Sequence, residues 1–361
     1  MNHLSMEQIL ARITQSERFD EMRMIRDQVH EMLREHLLFA HSLGLSRDIN
    51  RIHDALIHRA AALTEAELAR EGRSCPPVRF ALMLFGSGGR CEQTLWSDQD
   101  NGFIYEDVPE EEREEVESYF AEFVGRLLSG LEALGYPPCE GNVVANNPQW
   151  RKPVSAYIAM ALDWLAEPNW ENMRYLLIMA DMRCIYGEPE LVERLRGAVL
   201  AYVREHVSVL QQLLSNTLHH KISLGVFGHL ITERYGEDAG GFDVKYGAYI
   251  PIVNGIRLLA IQEGIAESTT LRRLEGLVAA GVLGAAEAQT WRQAFEIALK
   301  HRDMTPFTID NGMYTTRSKL SAEQLTRELK QELKFCLRAG MELQKFVRKS
   351  VEAKLHQREK G

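Results

Sequence analysis

Cysteine is scarce in this chain and follows no pattern. Of 361 residues five are cysteine (Cys75, Cys91, Cys139, Cys184 and Cys336), an odd number without a C-x-x-C pair. That argues against a disulfide framework and a thiolate zinc site, and for reduced thiols in the cytoplasm. No window approaches the ~20 apolar residues of a membrane span. The first fifteen residues mix charge into their apolar positions, unlike a secretion leader. The expected location is cytoplasmic, with no membrane partner. Positive charge is not in excess either: 42 Lys and Arg stand against 51 Asp and Glu, a net charge of −9. The basic face of a general nucleic-acid binder is therefore missing, and no nucleic-acid partner is expected. Residues 5 to 72 lack proline, which leaves helix there uninterrupted. The histidines of that region (His30, His36, His41, His53 and His58) include no i, i+4 pair, so they read as packed or solvated side chains rather than metal ligands.

What the chain does have is a hydrophobic share of 45% and a charged share of 26%, ordinary for a globular protein. Its length allows two or three domains. The informative stretch runs from Phe80 to Glu106. An apolar run, Phe80 to Phe85, ends on Gly86-Ser87; a polar, glycine-rich turn leads to Asp98-Gln99-Asp100; Gly102-Phe103-Ile104 follows and closes at Tyr105. This reads as strand, turn, strand. Residues two apart on a strand share a face, so Asp98 and Asp100 are expected to project together. Like charges that close repel unless a cation lies between them. Two carboxylates completed by substrate phosphates suit Mg²⁺, with Mn²⁺ as the alternative ion. The Gly86-Ser87 turn offers N–H groups and a hydroxyl to phosphate, and Arg90 is near enough in sequence to add a cation. Paired carboxylates beside a phosphate cradle are the apparatus of metal-assisted nucleotidyl transfer from a nucleoside triphosphate.

The string G-S-G-G-R-C-E-Q-T-L-W-S-D-Q-D-N (86 to 101) resembles the signature of the polymerase-β-like nucleotidyltransferases. It is most similar to the branch related to the PII-protein uridylyltransferase, often found behind paired CBS domains. The likeness continues through G-N-V-V-A-N-N-P-Q-W-R (141 to 151), D-M-R-C-I-Y-G (181 to 187) and G-G-F-D-V-K-Y-G (240 to 247). It implies transfer of a nucleoside monophosphate to an acceptor hydroxyl, with a PII-type signalling protein as one such acceptor. It also implies that Lys245 neutralises nucleotide phosphates and Asp243 orients it; an ordinary surface pair is the alternative. Such enzymes carry a third carboxylate on a later strand, but Val143 and Val144 stand at the natural positions. Asp181, in a string the family repeats, and Glu140 are the two candidates. Asp181 could instead pair with Arg183 or Arg174. Without that third group, the fold would suit a catalytically weak or inactive nucleotide-binding regulator or scaffold.

The rest of the chain reads as helix. Met22, Ile25, Val29 and Leu33 keep the helical step, and a second helix is expected after Ser46 as N-cap. A helix over 110–134 precedes a third strand at Gly141 to Ala145. Helices are expected over 154–165, 170–186, 189–214, 248–262, 270–280 and 285–302. A loop over 304–317 leads to a long final helix opened by a capping box, Ser321-Ala322-Glu323-Gln324. The expected class is α+β: an N-terminal helical region (1–75), a small mixed-sheet domain (76–190) and a C-terminal helical bundle (191–361).

Overall fold

The computed structural model of the chain describes residues 5–39, 43–219, 223–225 and 229–359. The side chain of His36, and all of His41, lie outside the described set. The α+β class holds.

Ser5 opens the first helix with a capping box: its hydroxyl accepts the Gln8 N–H, and its own N–H bonds the Gln8 side chain. Helices α1 (Met6–Gln15), α2 (Phe19–Phe39) and α3 (Leu43–Arg70) follow. The expected stripe of Met22, Ile25, Val29 and Leu33 on α2 is buried, and so are Ile9 and Ile13 on α1 and Ile49, Ile52, Leu56 and Ile57 on α3. Ser46 is not the N-cap. It lies buried inside α3, and its carbonyl accepts the Asn50 side-chain amide at 2.8 Å.

The sheet runs β3-β2-β1-β4. Strand β1 (Phe80–Leu84) pairs antiparallel with β2 (Asn101–Tyr105), Leu82 opposite Phe103, and antiparallel with β4 (Arg183–Gly187) on its other edge. Strand β3 (Arg151–Pro153) runs parallel to β2. Between β1 and β2 lies a one-turn helix α4 (Gly86–Gly89), and after β2 comes α5 (Glu110–Ala133). Leu82, Leu84, Phe103 and Tyr105 share one face by strand alternation and join a core with α1, α2, α3 and α5. Phe120 and Phe123 of α5 pack on Phe103 at ring distances of 4.9 and 5.8 Å, with Phe80 stacked at 5.3 Å. Each such ring contributes about 2–3 kcal/mol by burial, against ~0–1 kcal/mol for a surface ion pair. Aromatic packing therefore fixes the helix against the sheet.

The remaining elements are α6 (Val154–Ala166), α7 (Trp170–Met179), α8 (Pro189–Glu205), α9 (Val209–Thr217), β5 (Phe242–Asp243), α10 (Ile250–Gln262), α11 (Thr270–Ala279), α12 (Ala285–Asp303), β6 (Phe307–Asp310), β7 (Met313–Thr316), β8 (Lys319–Leu320) and α13 (Arg327–Glu359). Contacts divide the chain into two units. The first holds 1–159, 181–195 and 307–315; the second holds 160–180, 196–306 and 316–361. In the second unit α10 is buried from Pro251 to Gln262, among α9, α11, α12 and α13. Pro251 sits in its first turn, where the missing N–H costs nothing. Gly255 lets Leu343 of α13 approach until an added Cβ would stand 2.9 Å away.

The helix expected over 189–214 is broken at 206–208 into α8 and α9, and four further expectations change. Residues 141–145 are no regular strand, although they run beside β2: Asn101 N–H bonds the Val143 carbonyl, and Ala145 N–H bonds the Asn101 side chain. The helix expected over 170–186 stops at Met179, and the run Cys184-Ile185-Tyr186 enters the sheet as β4. The loop over 304–317 contains the β6–β7 hairpin. The capping box at Ser321 and Gln324 forms, but only as a turn; α13 starts at Arg327, where the Thr326 hydroxyl accepts the Leu329 N–H. Among the described residues no helix is long and apolar enough to cross a membrane.

Candidate active site

The turn after β1 needs glycine. Phe85 stays extended, then Gly86 takes φ +51°, a region open to glycine at little cost. A Cβ on Gly86 would stand 2.6 Å from Oδ2 of Asp100, so that carboxylate lies against the turn. Gly89 is tighter still, since its Cβ would fall 1.9 Å from the Asp181 carbonyl oxygen. The N–H groups of Gly89 and Arg90 close back on the carbonyls of Phe85 and Gly86 at 2.8 and 3.1 Å. Those of Gly86, Ser87 and Gly88 head the turn, where helical N–H groups have no partner inside the helix. Ser87 is half-buried.

Asp98 and Asp100 lie on the extended approach to β2 rather than within it. Asp98 is exposed, Gln99 is buried and Asp100 is half-buried, the alternation expected of i and i+2 on one face. Gln99 anchors the segment: its N–H bonds the Pro137 carbonyl at 2.9 Å, and its side-chain amide bonds the Tyr136 carbonyl at 3.0 Å. The Phe85 N–H bonds the Asp100 carbonyl at 2.9 Å, which extends the β1–β2 ladder to the turn. Cys139 hydrogen-bonds Asp100: burial, then the charge of Asp100, then that bond push its thiol up to about 12, with the charge of Asp98 the smallest contribution. Two carboxylates over a glycine turn fit a hard divalent cation that takes its other oxygens from phosphate and water. Among the described residues no group of three or more His, Cys, Asp or Glu is placed to hold a metal.

Arg90 and Asp181 do not join this surface. Asp181 is fully buried and Arg90 is 3% exposed. The guanidinium bonds Asp181 at 2.5 Å and Glu92 at 2.7 Å. The expectation that Arg90 reaches phosphate, and that Asp181 supplies a third catalytic carboxylate, does not fit that burial. An ion pair for Asp181 was the alternative, but its partner is Arg90 rather than Arg183 or Arg174. Arg183 instead bonds Asp54 through both terminal nitrogens, at 3.0 and 2.8 Å, and the Gly88 carbonyl at 2.8 Å. Glu140 stands exposed in a turn after Cys139.

Asp243 and Lys245 belong to the second unit. Asp243 lies on β5, and its Oδ1 accepts the Tyr246 N–H at 2.8 Å, holding the π-turn that leads into α10. Burial raises its carboxyl above the usual range, partly offset by that bond. Lys245 places its ammonium 5.3 Å from the Tyr246 ring. Asp243 thus orders backbone, where the resemblance implied that it orients Lys245.

Two residues escape notice in the sequence, Arg26 and Asn50; with His53, which is packed as expected, they bond the backbone of residues 93 to 95, just before the carboxylates. A signal existed. Arg26 falls four residues after Met22 and three before Val29, so a charge occupies the apolar stripe of α2.

Residues 23–171 match the family described as Putative nucleotidyltransferase DUF294, and residues 208–351 match the one described as Putative nucleotidyltransferase substrate binding domain. No curated protein matches the chain. The first match takes in Gly86, Ser87, Asp98 and Asp100 together with α3 and most of α2; the second takes in Asp243 and Lys245. Two successive stretches of the chain thus match, in order, the family described as Putative nucleotidyltransferase DUF294 and the substrate-binding domain described for such proteins.

Proposed function

We propose that this chain is a Mg²⁺-dependent nucleotidyltransferase, with Mn²⁺ able to substitute, that moves a nucleoside monophosphate from a triphosphate to an acceptor hydroxyl. One observation carries the reading: the Asp100 carboxylate lies against the Gly86 turn, with an exposed Asp98 two residues before it. Asp98 and Asp100 would hold the cation, which when bound would supply charge neutralisation at the phosphates. The N–H groups at the head of the Gly86–Gly89 turn and the Ser87 hydroxyl hold the β- and γ-phosphates. The acceptor oxygen bonds to the α-phosphorus, the bond to the bridging oxygen breaks, pyrophosphate leaves with that electron pair, and the acceptor proton passes to solvent. Lys245 is assigned to phosphate charge in the substrate-binding domain, with Asp243 holding its turn. The resemblance to the PII-protein uridylyltransferase favours UTP and a protein hydroxyl such as a tyrosine of a PII-type protein. Asp98→Asn and Asp100→Asn should each lower transfer on the order of 10²-fold, measured with labelled triphosphates and a lysate as acceptor source. Unchanged transfer in both would overturn the reading.

A second reading has its own support in the burial of Asp181 against Arg90, which leaves two carboxylates rather than three. In that reading the chain binds triphosphate and regulates or scaffolds a partner without turnover. Calorimetry with each triphosphate, with and without Mg²⁺, separates the two. Tight binding with no pyrophosphate release across acceptors favours the regulator.

A further inference from the structure

Behind the loop that carries Asp98 and Asp100, side chains of α2 and α3 hold three consecutive backbone residues. Asn50 acts as a piece of strand: its Oδ1 accepts the Gln93 N–H at 2.8 Å and its Nδ2 donates to the Gln93 carbonyl at 3.2 Å. His53, nearly one turn on, meets the Thr94 carbonyl through Nε2 at 2.9 Å. A carbonyl only accepts, so Nε2 carries the proton and Nδ1 accepts from the Tyr136 hydroxyl at 2.7 Å. Arg26 donates to the Leu95 carbonyl at 3.3 Å and the Leu134 carbonyl at 2.6 Å, with its guanidinium 3.7 Å over the Tyr136 ring. The three side chains are 3, 1 and 0% exposed. Buried polar groups are costly unless bonded, and apolar side chains would fill this space without that requirement. Each of the three bonds the loop rather than only its own helix.

We infer that Arg26, Asn50 and His53 are positioning residues: by fixing the backbone of Gln93, Thr94 and Leu95 they set where Asp98 and Asp100 project. The inference deepens the reaction centre proposed above and rests on it. It gives the N-terminal helices a part in that centre, and the family match itself reaches back to residue 23. Because the grip is on main-chain atoms, it constrains the loop whatever side chains the loop carries.

The test uses the full chain and two readouts. Mn²⁺ affinity, followed by electron paramagnetic resonance, should fall about tenfold in Asn50→Leu and His53→Leu, the usual scale for losing support behind a metal ligand. His53→Gln keeps an amide donor for the Thr94 carbonyl and should bind nearly as the native chain does. Hydrogen exchange at 93–98, read by mass spectrometry without metal, should quicken in both leucine variants. Thr64→Val is the control: its buried hydroxyl bonds only the Ala60 carbonyl of its own helix, so it should lower stability and move neither readout. Native affinity and native exchange in a folded Asn50→Leu would overturn the inference. Should Asn50→Leu not fold, the His53→Leu and His53→Gln pair decides in the same way. If Mn²⁺ binding is absent or survives Asp98→Asn, the reaction centre is wrong, and the exchange data alone still decide whether these side chains hold the loop.

Discussion

Arg90 shares its guanidinium between Glu92 and Asp181, all three being less than 5% exposed. Removing the cation takes a buried counter-charge from two buried carboxylates. Arg90→Met should therefore cost about 3–5 kcal/mol of stability, measured by urea unfolding. Were Arg90 a phosphate ligand, the same change would leave stability intact and raise the KM for triphosphate. The sequence could place Arg90 near the turn but could not show which way it pointed. Gly89 gives the reason: with no side chain, it lets the Asp181 backbone press against the turn, and that brings Asp181 to Arg90 across 91 residues. By contrast, Gly86, Ser87, Asp98 and Asp100 were legible because they lie in one short stretch whose spacing sets their geometry.

The β6–β7 hairpin shows what was available at the scale of an element. Asn311 and Gly312 both take positive φ, +49° and +79°, as a two-residue type I′ turn requires. The pair Asn-Gly between F-T-I-D and M-Y-T-T is a strong hairpin signal that reading 304–317 as a loop leaves unused. Nothing lies within 4 Å of a Cβ at Gly312, so a side chain there meets only backbone strain. Gly312→Val should cost about 1–2 kcal/mol, seen as a Tm lower by a few degrees with activity per folded molecule unchanged. The third strand was harder to read, because Gly141–Ala145 has strand composition and does lie along β2. Its Asn142 takes φ +53°, which breaks the regular ladder and leaves Arg151–Pro153 to form β3.

For the whole molecule, the first unit buries two neutral imidazoles. Burial, then the charge of Arg26, holds His53 at about 3, and His30 is held well below its ordinary value of 6.5 by the same causes in the same order. Between those limits the unfolded chain binds protons that the folded one does not. Stability is thus complete above about pH 6.5 and falls as pH drops toward 3, by up to ~1.4 kcal/mol per pH unit for each ring. Tm should decline steadily from pH 7 to pH 4, and less steeply in His53→Gln; equal slopes would refute this account. Net charge alone carries no hint of it, because the effect lies in where two histidines are packed and not in how many there are. The chain passes between its two units five times, after residues 159, 180, 195, 306 and 315. The last return brings Phe307 onto Trp96, rings stacked at 5.3 Å, and Tyr314 under Arg26 at 4.7 Å. During synthesis on the ribosome, the half that bears the carboxylates must wait for residue 315 before its own interior is complete. Exchanging the carboxylate-bearing half between relatives therefore means carrying that small ribbon along with it.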